Sequence, residues 1–163
     1  MPIHGVEYNV SGAKWSKVVE VNGMLIGKYT NNLDQKGRVF VPAAFRGDLG
    51  DRFVLTRGSE EKSLYLYPMK EWEKFVEKLQ GLPTSKKNSR MIIRHFCANA
   101  TSCDMDSQGR IVIPQELREK AELQKEVVFI GTVNRVELWS AENIHETEVE
   151  DIGGLLESLD IDF

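Results

Sequence analysis

The chain has 163 residues, of which 41% are hydrophobic, and a formal net charge of −4. This length allows one ordinary domain or two very small ones, and the hydrophobic content is sufficient for a core. No apolar run approaches the length of a membrane span, and the chain does not start with the basic and then apolar segments of a secretory signal. We therefore expect a soluble, cytoplasmic protein with no membrane partner. The negative net charge argues at first against a nucleic-acid partner.

Composition and motif spacing divide the chain into five predicted segments. These are an N-terminal extension (1–23), a first β-rich module (26–70), connecting helices (71–97), a second β-rich module (98–141) and an acidic C-terminal helix and tail (142–163). The N-terminal extension mixes Gly, Ser and Asn with scattered apolar residues, and we assign it no function.

The first module is organised around a tight turn that leads into a strand. Asp34 precedes Gly37 by three residues. This pattern predicts a turn, because Asp can bond backbone amides two residues further on and Gly adopts positive φ without steric cost. Val39 and Val41 alternate as in a strand with one buried face. The proline that follows suits the first position of a helix, which we predict over residues 43 to 49.

Two amphipathic helices are predicted between the modules, over residues 68 to 82 and 85 to 97. Apolar residues recur at helical spacing in both, and Pro83 ends the first. The second helix carries four basic residues from Lys86 to Arg94. A basic helix can contact phosphates, but a run of charge is more often a solvated face, and we favour the solvated face.

The second module repeats the first. The segment from Asp106 to Arg118 matches the segment from Asp34 to Arg46 at a constant offset of 72 positions, with Asp, Gly, Arg, alternating β-branched residues, Pro, a large apolar residue and Arg in the same places. A unit of about 45 residues is too small to bury a stable core by itself. We therefore expect the two copies to pair around a pseudo-twofold axis. The predicted fold is mainly β with short helices, α+β in class, with one β-barrel-like core.

The acidic residues are concentrated at the C-terminus. Residues 142 to 163 include eight Asp and Glu and no Lys or Arg. Because this segment contributes −8 to a total of −4, residues 1 to 141 carry +4. The charge is thus segregated, and the local field matters more than the total charge. Apolar residues from Ile144 to Leu159 predict a helix, which we expect Gly153 and Gly154 to interrupt. This segment either faces solvent or contacts another protomer, and we favour solvent.

The repeated motif resembles that of a known group of bacterial regulators. The turn Asp-x-x-Gly-Arg, followed by β-branched residues and Pro, is similar to the SpoVT/AbrB swapped-hairpin module of DNA-binding regulators. Two such modules, opened by Met24-Leu-Ile-Gly-Lys-Tyr-Thr-Asn-Asn-Leu-Asp34, resemble the MraZ family over about residues 24 to 150. The resemblance implies a nucleoid-associated transcription regulator of the bacterial division and cell-wall gene cluster. It also implies a homo-oligomeric ring that binds short direct repeats in its own promoter.

Arg38 and Arg110 are the first candidates for contact with double-stranded DNA. An arginine beside a tight turn can present a planar fork of donors to phosphate or to guanine O6 and N7. The local alternative is that Asp34 pairs with Arg38, and Asp106 with Arg110, to hold each turn shut. Both interpretations can hold in part, because an aspartate that positions the arginine serves structure and binding together.

Further candidates lie in and beside the two turns. Lys36 is a candidate for phosphate and Gln108 for a base edge, because both should be exposed. Gly37 and Gly109 are expected to position the turns. The weaker candidates are Asn31, Asn32, Arg46 and Arg118, of which the two arginines could equally serve a subunit interface.

Enzymatic function finds little support in the sequence. No Gly-rich phosphate loop, nucleophile elbow or zinc-protease motif appears. Cys97 and Cys103 lie near His95, but the spacing matches no standard zinc pattern, and we interpret them as reduced, partly buried structural thiols. We predict no catalysis, cofactor, metal or small-molecule substrate. The function that stays open beside DNA binding is a structural or protein-binding ring without specific DNA recognition.

Overall fold

The structure is a computed structural model that describes residues 24 to 162, so the predicted N-terminal extension over residues 1 to 23 lies outside the described residues. Within this range the chain forms eight strands, five α-helices and one short 3-10 helix. In chain order they are β1 (Leu25–Asn32), β2 (Arg38–Phe40), α1 (Ala43–Leu49), β3 (Arg52–Arg57), β4 (Leu64–Pro68), α2 (Met69–Gln80), α3 (Lys87–Ala98), β5 (Thr101–Asp104), β6 (Arg110–Val112), α4 (Gln115–Lys120), β7 (Glu126–Val133), β8 (Val136–Ser140), the 3-10 helix (Ile144–Thr147) and α5 (Ile152–Ser158). None of the helices in this range has the length and apolar character needed to cross a membrane.

Six strands form one antiparallel sheet in the order β1-β7-β8-β4-β3-β5. Each copy of the repeat gives its first strand to the other copy, because β1 pairs with β7 and β5 pairs with β3. The hairpins β3-β4 and β7-β8 meet at the centre of the sheet, where β4 pairs with β8. Neither copy can therefore complete its sheet without the other.

The strands β2 and β6, which carry the repeated motif, pair with each other and form a separate two-stranded ribbon. Their register is Arg38 opposite Val112, Val39 opposite Ile111, and Phe40 opposite Arg110. A shift by 72 positions converts the pair Arg38–Val112 into the pair Arg110–Phe40, and it leaves the pair Val39–Ile111 unchanged. The pseudo-twofold axis therefore passes between Val39 and Ile111. It passes in the same way between Tyr65 and Glu137, which pair across β4 and β8.

A single hydrophobic core joins the two copies. It includes Val39, Val41, Phe45, Phe53, Leu55, Leu64 and Leu66 from the first copy, and Ile111, Ile113, Leu117, Val127, Phe129, Val136 and Leu138 from the second. Because side chains alternate along a strand, burial of Val39 and Ile111 turns the flanking residues of the ribbon away from the core. The ribbon thus has one inner apolar face and one outer face.

The predicted class, mainly β with short helices, is confirmed, but the sheet is not closed into a barrel. The strands β1 and β5 lie at opposite ends of the described sheet and do not pair with each other. The motif strands are only three residues long and pair with each other, so they do not bridge the two edges. The ribbon instead packs its inner face on the core.

Helices α2 and α3 connect the copies and pack on the first half of the sheet. The ring of Phe75 stacks on that of Tyr67 with 5.3 Å between centroids, and Phe96 meets Phe75 edge to face at 5.0 Å. The hydroxyl of Thr56 donates to the carbonyl of Phe96 at 2.8 Å, which ties α3 to β3. One side of α3 is therefore fixed to the sheet, and the opposite side faces outward.

The helix α5 runs through Gly153 and Gly154, so the expected interruption at this pair is wrong. Both glycines lie in the first turn of the helix. The side chain of Asp151 accepts a hydrogen bond there from the amide of Gly154 at 2.9 Å. A Cβ on Gly154 would collide with the Asp151 carboxylate. The glycine therefore makes room for the cap that begins the helix.

Candidate nucleic-acid interface

Asp34 organises the first turn with both of its carboxylate oxygens. Its Oδ1 accepts hydrogen bonds from the backbone amides of Lys36 at 2.9 Å and Arg38 at 2.8 Å, while its Oδ2 accepts from Nε of Arg38 at 2.7 Å. The backbone closes the same loop, since the amide of Asp34 donates to the carbonyl of Arg38 and the amide of Gly37 donates to the carbonyl of Asp34. One carboxylate thus holds the turn shut and orients the arginine.

The second turn has the same geometry. Oδ1 of Asp106 accepts from the amides of Gln108 and Arg110, each at 2.9 Å, and Oδ2 accepts from Nε of Arg110 at 2.8 Å. The local pairing considered for the motif is therefore present in both turns. Within the described part of the chain this pairing engages only Nε of Arg38 and Arg110, so their Nη1 and Nη2 groups are available to a ligand.

The same hydrogen bonds keep the two turn carboxylates charged. The backbone amide of Arg38 is the largest cause that lowers the pKa of Asp34 below its ordinary value of 3.8, and the amide of Arg110 lowers the pKa of Asp106 in the same way. Partial desolvation acts in the opposite direction, and the arginine side chains add to the lowering. Both carboxylates are therefore ionised near neutral pH and hold their arginines by charge-assisted bonds.

The outer face of the β2-β6 ribbon places the two arginines beside two apolar residues. We call the side chains of Arg38, Phe40, Arg110 and Val112 the ribbon face. Phe40 is 43% exposed and Val112 is 56% exposed. The guanidinium carbon of Arg110 lies 5.8 Å from the centre of the Phe40 ring. A two-stranded ribbon fits the major groove, so this face can offer donors to guanine and apolar contact to thymine methyl groups.

Phe40 and Val112 were not among the sequence candidates. The signal was present in the alternation of the strand, because each residue lies two positions after a motif arginine and so projects from the same side of its strand. Phe40 and Val112 are apolar but exposed, whereas Val39 and Ile111, which precede them in the two strands, are buried.

The side chains predicted to be exposed in the two turns are exposed. Lys36 and Gln108 are exposed at the tips of the two turns. Asn32 is exposed at the end of β1. The side chain of Asn31 donates to the carbonyl of Phe40 at 2.7 Å, so it links β1 to the ribbon. DNA contact by these residues stays a prediction.

Arg46 and Arg118 are held inside the motif by backbone carbonyls. Nε of Arg46 donates to the carbonyl of Val41 at 2.9 Å, and Nη1 of Arg118 donates to the carbonyl of Ile113 at 3.0 Å. Both side chains are partly buried. Their position therefore supports the strand-to-helix junction of each copy, and contact of Arg46 with DNA stays a prediction.

Each of these guanidinium groups also crosses to the turn of the opposite copy. A Cβ built on Gly37, which has φ +80°, would overlap the guanidinium of Arg118, and one built on Gly109, with φ +86°, would overlap that of Arg46. The two glycines thus provide positive φ and also the space for an arginine. This contact was not predicted from the sequence, although the equal spacing from Arg38 to Arg46 and from Arg110 to Arg118 indicated a shared role.

Residues 24 to 162 include no group of three or more His, Cys, Asp or Glu arranged to hold a metal ion. Cys97 is an exposed free thiol, and Cys103 is a buried free thiol whose pKa burial raises to about 11. His95 contacts the carbonyl of Gly58 at 2.8 Å. Cys103 is therefore a protonated core thiol at neutral pH, as predicted for a structural thiol. The prediction of partial burial is wrong for Cys97, which is exposed.

Comparison with known proteins gives a consistent result over most of the chain. A family model described as "MraZ protein, putative antitoxin-like" matches residues 24–95 and 96–152. A protein of Halothermothrix orenii named "Transcriptional regulator MraZ" is 49% identical over 144 residues, which cover 85% of this chain and 100% of the relative. Proteins of the same name from Thermoanaerobacter pseudethanolicus and Pediococcus pentosaceus are 46% and 47% identical over 144 residues, covering 85% and 86% of this chain and 100% and 99% of the relatives. The chain therefore belongs to the MraZ family.

Proposed function

We propose that this protein is a regulator of transcription that recognises specific sequences in double-stranded DNA. Its relatives are named as transcriptional regulators, and they align with this chain over nearly their full length. The observation that carries the proposal is the ribbon face between its two turns. There each aspartate holds its arginine through Nε, and the outer donors of both arginines are left for a ligand.

The geometry gives each candidate residue a separate role. Arg38 and Arg110 contact guanine edges or phosphate with their Nη groups, since a fixed guanidinium plane favours two-pronged recognition. Lys36 contacts phosphate, and Gln108 contacts a base edge. Asn32 adds a polar contact beside the first turn. Arg46 mainly supports the turn of the opposite copy, where its guanidinium lies against Gly109.

We further propose that the protein binds short direct repeats in its own promoter as a homo-oligomeric ring and regulates the division and cell-wall gene cluster. One protomer presents few cationic groups at its turns, and Asp34 and Asp106 offset part of their charge. Such a patch binds DNA weakly when it acts alone. Several identical patches in one assembly raise the apparent affinity by making later contacts intramolecular. Such a regulator acts in the cytoplasm, associated with the nucleoid.

A second candidate function is a structural or protein-binding ring without specific DNA recognition. The observation that favours it is the set of exposed apolar side chains far along the chain from the motifs, including Ile152 and Leu159. The two functions differ in salt dependence. Binding through phosphates releases counterions and weakens steeply as salt rises, whereas a protein-binding ring needs no affinity for DNA.

The test is binding of the purified protein to duplex DNA from upstream of its own gene. Fluorescence anisotropy across a salt series should show tighter binding to this duplex than to a shuffled duplex of equal composition. The variant Arg38→Ala/Arg110→Ala should lose this preference and keep its fold by circular dichroism. The control is Lys74→Ala, which removes an exposed cation that pairs with Glu71 at 3.2 Å on α2, away from the ribbon. Equal affinity for both duplexes, or an unchanged preference in the double variant, would refute the proposal.

A further inference from the structure

The helix α5 carries an apolar stripe that the described chain leaves uncovered. Ile152, Leu155, Leu156 and Leu159 follow each other at helical spacing, and Ile152 and Leu159 are 62% and 69% exposed. None of the seven residues of α5 is buried. An amphipathic helix gains most of its stability from burying its apolar face, so this stripe needs a surface to cover it.

The helix α3 presents a second uncovered stripe of different character. Lys87, Met91, Arg94 and Ala98 lie at positions i, i+4, i+7 and i+11, which places them on one side of the helix. All four are exposed, and Met91 is 52% exposed. This side is opposite the face that Phe96 turns toward Phe75 and the sheet.

A groove runs between α3 and α4 beside this stripe. Its volume is about 380 Å³, and its lining includes Met91, Arg94 and Ala98 from α3 with Glu116 and Lys120 from α4. Lys120 holds the carboxylate of Glu116 at 2.9 Å. The lining is therefore mixed, with the apolar side chains of Met91 and Ala98 beside the cations of Arg94 and Lys120, and we call it the α3-α4 groove.

The two surfaces are complementary in charge. The groove is lined by Arg94 and Lys120 with one anion, Glu116, whereas residues 150 to 160, which include α5, contain four Asp and Glu and no Lys or Arg. No ion pair involves Lys87 or Arg94 within residues 24 to 162. An acidic helix with an apolar stripe suits a groove with a cationic excess and exposed Met91, because opposite potentials steer the encounter while apolar contact supplies affinity.

We propose that α5 of one protomer docks in the α3-α4 groove of a second copy of this chain. This inference rests on the ring assembly of the proposed function. A ring requires two different, mutually complementary patches on each protomer, so that every copy gives one contact and receives another. The α5 stripe and the α3-α4 groove are such a pair. In the described chain, Lys62 binds Glu146 at 3.4 Å and Glu122 at 3.3 Å, which ties the 3-10 helix before α5 to the protomer's own body. In this proposal, the segment after the 3-10 helix, which includes α5, contacts the neighbouring protomer.

The test measures solution mass by light scattering in four proteins. The wild type should form an assembly of several protomers at moderate salt. Lys87→Glu/Arg94→Glu, which reverses one cation of the groove and one beside it on α3, should lower the mass several-fold, and so should Leu155→Asp/Leu159→Asp in α5. Combining Lys87→Glu/Arg94→Glu with Glu150→Lys/Glu157→Lys should restore the mass, because the two surfaces are complementary again. Thermal unfolding confirms that each protein is folded.

A matched control changes the same charges on another helix. Lys70→Glu/Lys78→Glu alters two exposed lysines of α2 and should leave the mass unchanged. Single introduced cysteines on separate chains test docking on a second copy. In a Cys97→Ser background, a mixture of Met91→Cys protein with Leu155→Cys protein should form disulfide-linked heterodimers. A monomeric wild type, no loss of mass in the groove variant, no rescue by the reversed charges, or no disulfide-linked heterodimer in the mixture would each overturn the proposal. Binding of a single repeat, measured in parallel, reports on DNA recognition independently of assembly.

Discussion

The guanidinium of Arg118 occupies the space that a side chain on Gly37 would need, although the two residues belong to different copies of the repeat. The contact related by the pseudo-twofold axis places Arg46 against Gly109. Each turn is thus shaped by an aspartate from its own copy and by an arginine from the other. The turn that carries Arg38 is rigid only when both copies are folded together.

This relationship predicts coupling between the two residues. Gly37→Ala should destabilise the protein by about 2 to 3 kcal/mol, from backbone strain at φ +80° of about 1 to 2 kcal/mol and displacement of the Arg118 hydrogen bond worth about 1 kcal/mol. Arg118→Ala should cost about 1 kcal/mol. The double variant should be more stable than the sum of the two costs implies, by about 1 kcal/mol, because the displaced group is gone. Urea unfolding measures all four corners of the cycle.

A control cycle uses Gly50, which also has positive φ but has nothing within 4 Å of a built Cβ. Gly50→Ala and Arg118→Ala should be additive within error. Additivity in the Gly37 cycle as well would show that backbone strain alone explains the glycine.

Much of this arrangement could be predicted because it depends on local chemistry and on the repeat. The turn at Asp34 follows from the hydrogen-bonding reach of an aspartate, and the pairing of β2 with β6 follows from two copies too small to fold alone. Closure of the sheet could not be predicted, because it depends on strand lengths and twist that the motif does not specify. The contact of Arg118 with Gly37 depends on which element crosses the axis, and only the folded topology decides that.

The pKa shifts of the turn aspartates predict a specific loss of stability in acid. Because folding lowers the pKa of Asp34 and Asp106, the unfolded chain takes up protons first as the pH falls. The stabilisation is thus fully present above the ordinary value of 3.8 and is lost as the pH falls through the lower folded values. The variant Asp34→Asn/Asp106→Asn should be less stable than the wild type at neutral pH, and the difference should shrink in acid. Urea midpoints across the pH range test this, with Glu73→Gln/Glu77→Gln on α2 as control. A difference that is independent of pH would contradict the prediction.

Nε of Arg38 pairs with Asp34, while its Nη groups remain for a ligand. We therefore predict that lysine cannot replace Arg38. A lysine at this position keeps the charge but cannot both pair with Asp34 and present a planar fork to a base. Arg38→Lys should therefore weaken binding to the specific duplex by about 1 to 3 kcal/mol and leave binding to shuffled DNA nearly unchanged. The control is Arg90→Lys, since Arg90 is an exposed arginine of α3 whose guanidinium donates to the carbonyl of Thr84 at 2.9 Å. Equal loss on both duplexes would assign Arg38 to phosphate contact alone.

The difference between the two turn tips predicts a change in salt dependence. Lys36 adds a cation to the first turn where the second has the neutral Gln108. Lys36→Gln should make the slope of log affinity against log salt less steep by about 0.9 per engaged protomer, because one phosphate contact is lost. Gln108→Lys should steepen the slope by a similar amount if the second turn also lies against the backbone. An unchanged slope in Lys36→Gln, with the protein folded, would remove Lys36 from the interface.

The modest charge of each ribbon face predicts that affinity depends on the number and the spacing of repeats. In a ring, identical ribbon faces recur at a fixed distance, so a second repeat is bound at high effective concentration and should raise apparent affinity by roughly a hundredfold or more. The repeats must then lie on the same side of the duplex, since a helical turn takes about 10.5 base pairs. Moving two repeats apart by about half a turn should cost far more than moving them by a single base pair, because the second contact then faces away from the ring. Anisotropy titrations with operators of one, two and three repeats, together with the solution mass, measure both effects. A monomer in solution, or equal affinity for all three operators, would refute binding by avidity, while Arg38→Ala would still report whether a single ribbon face recognises DNA.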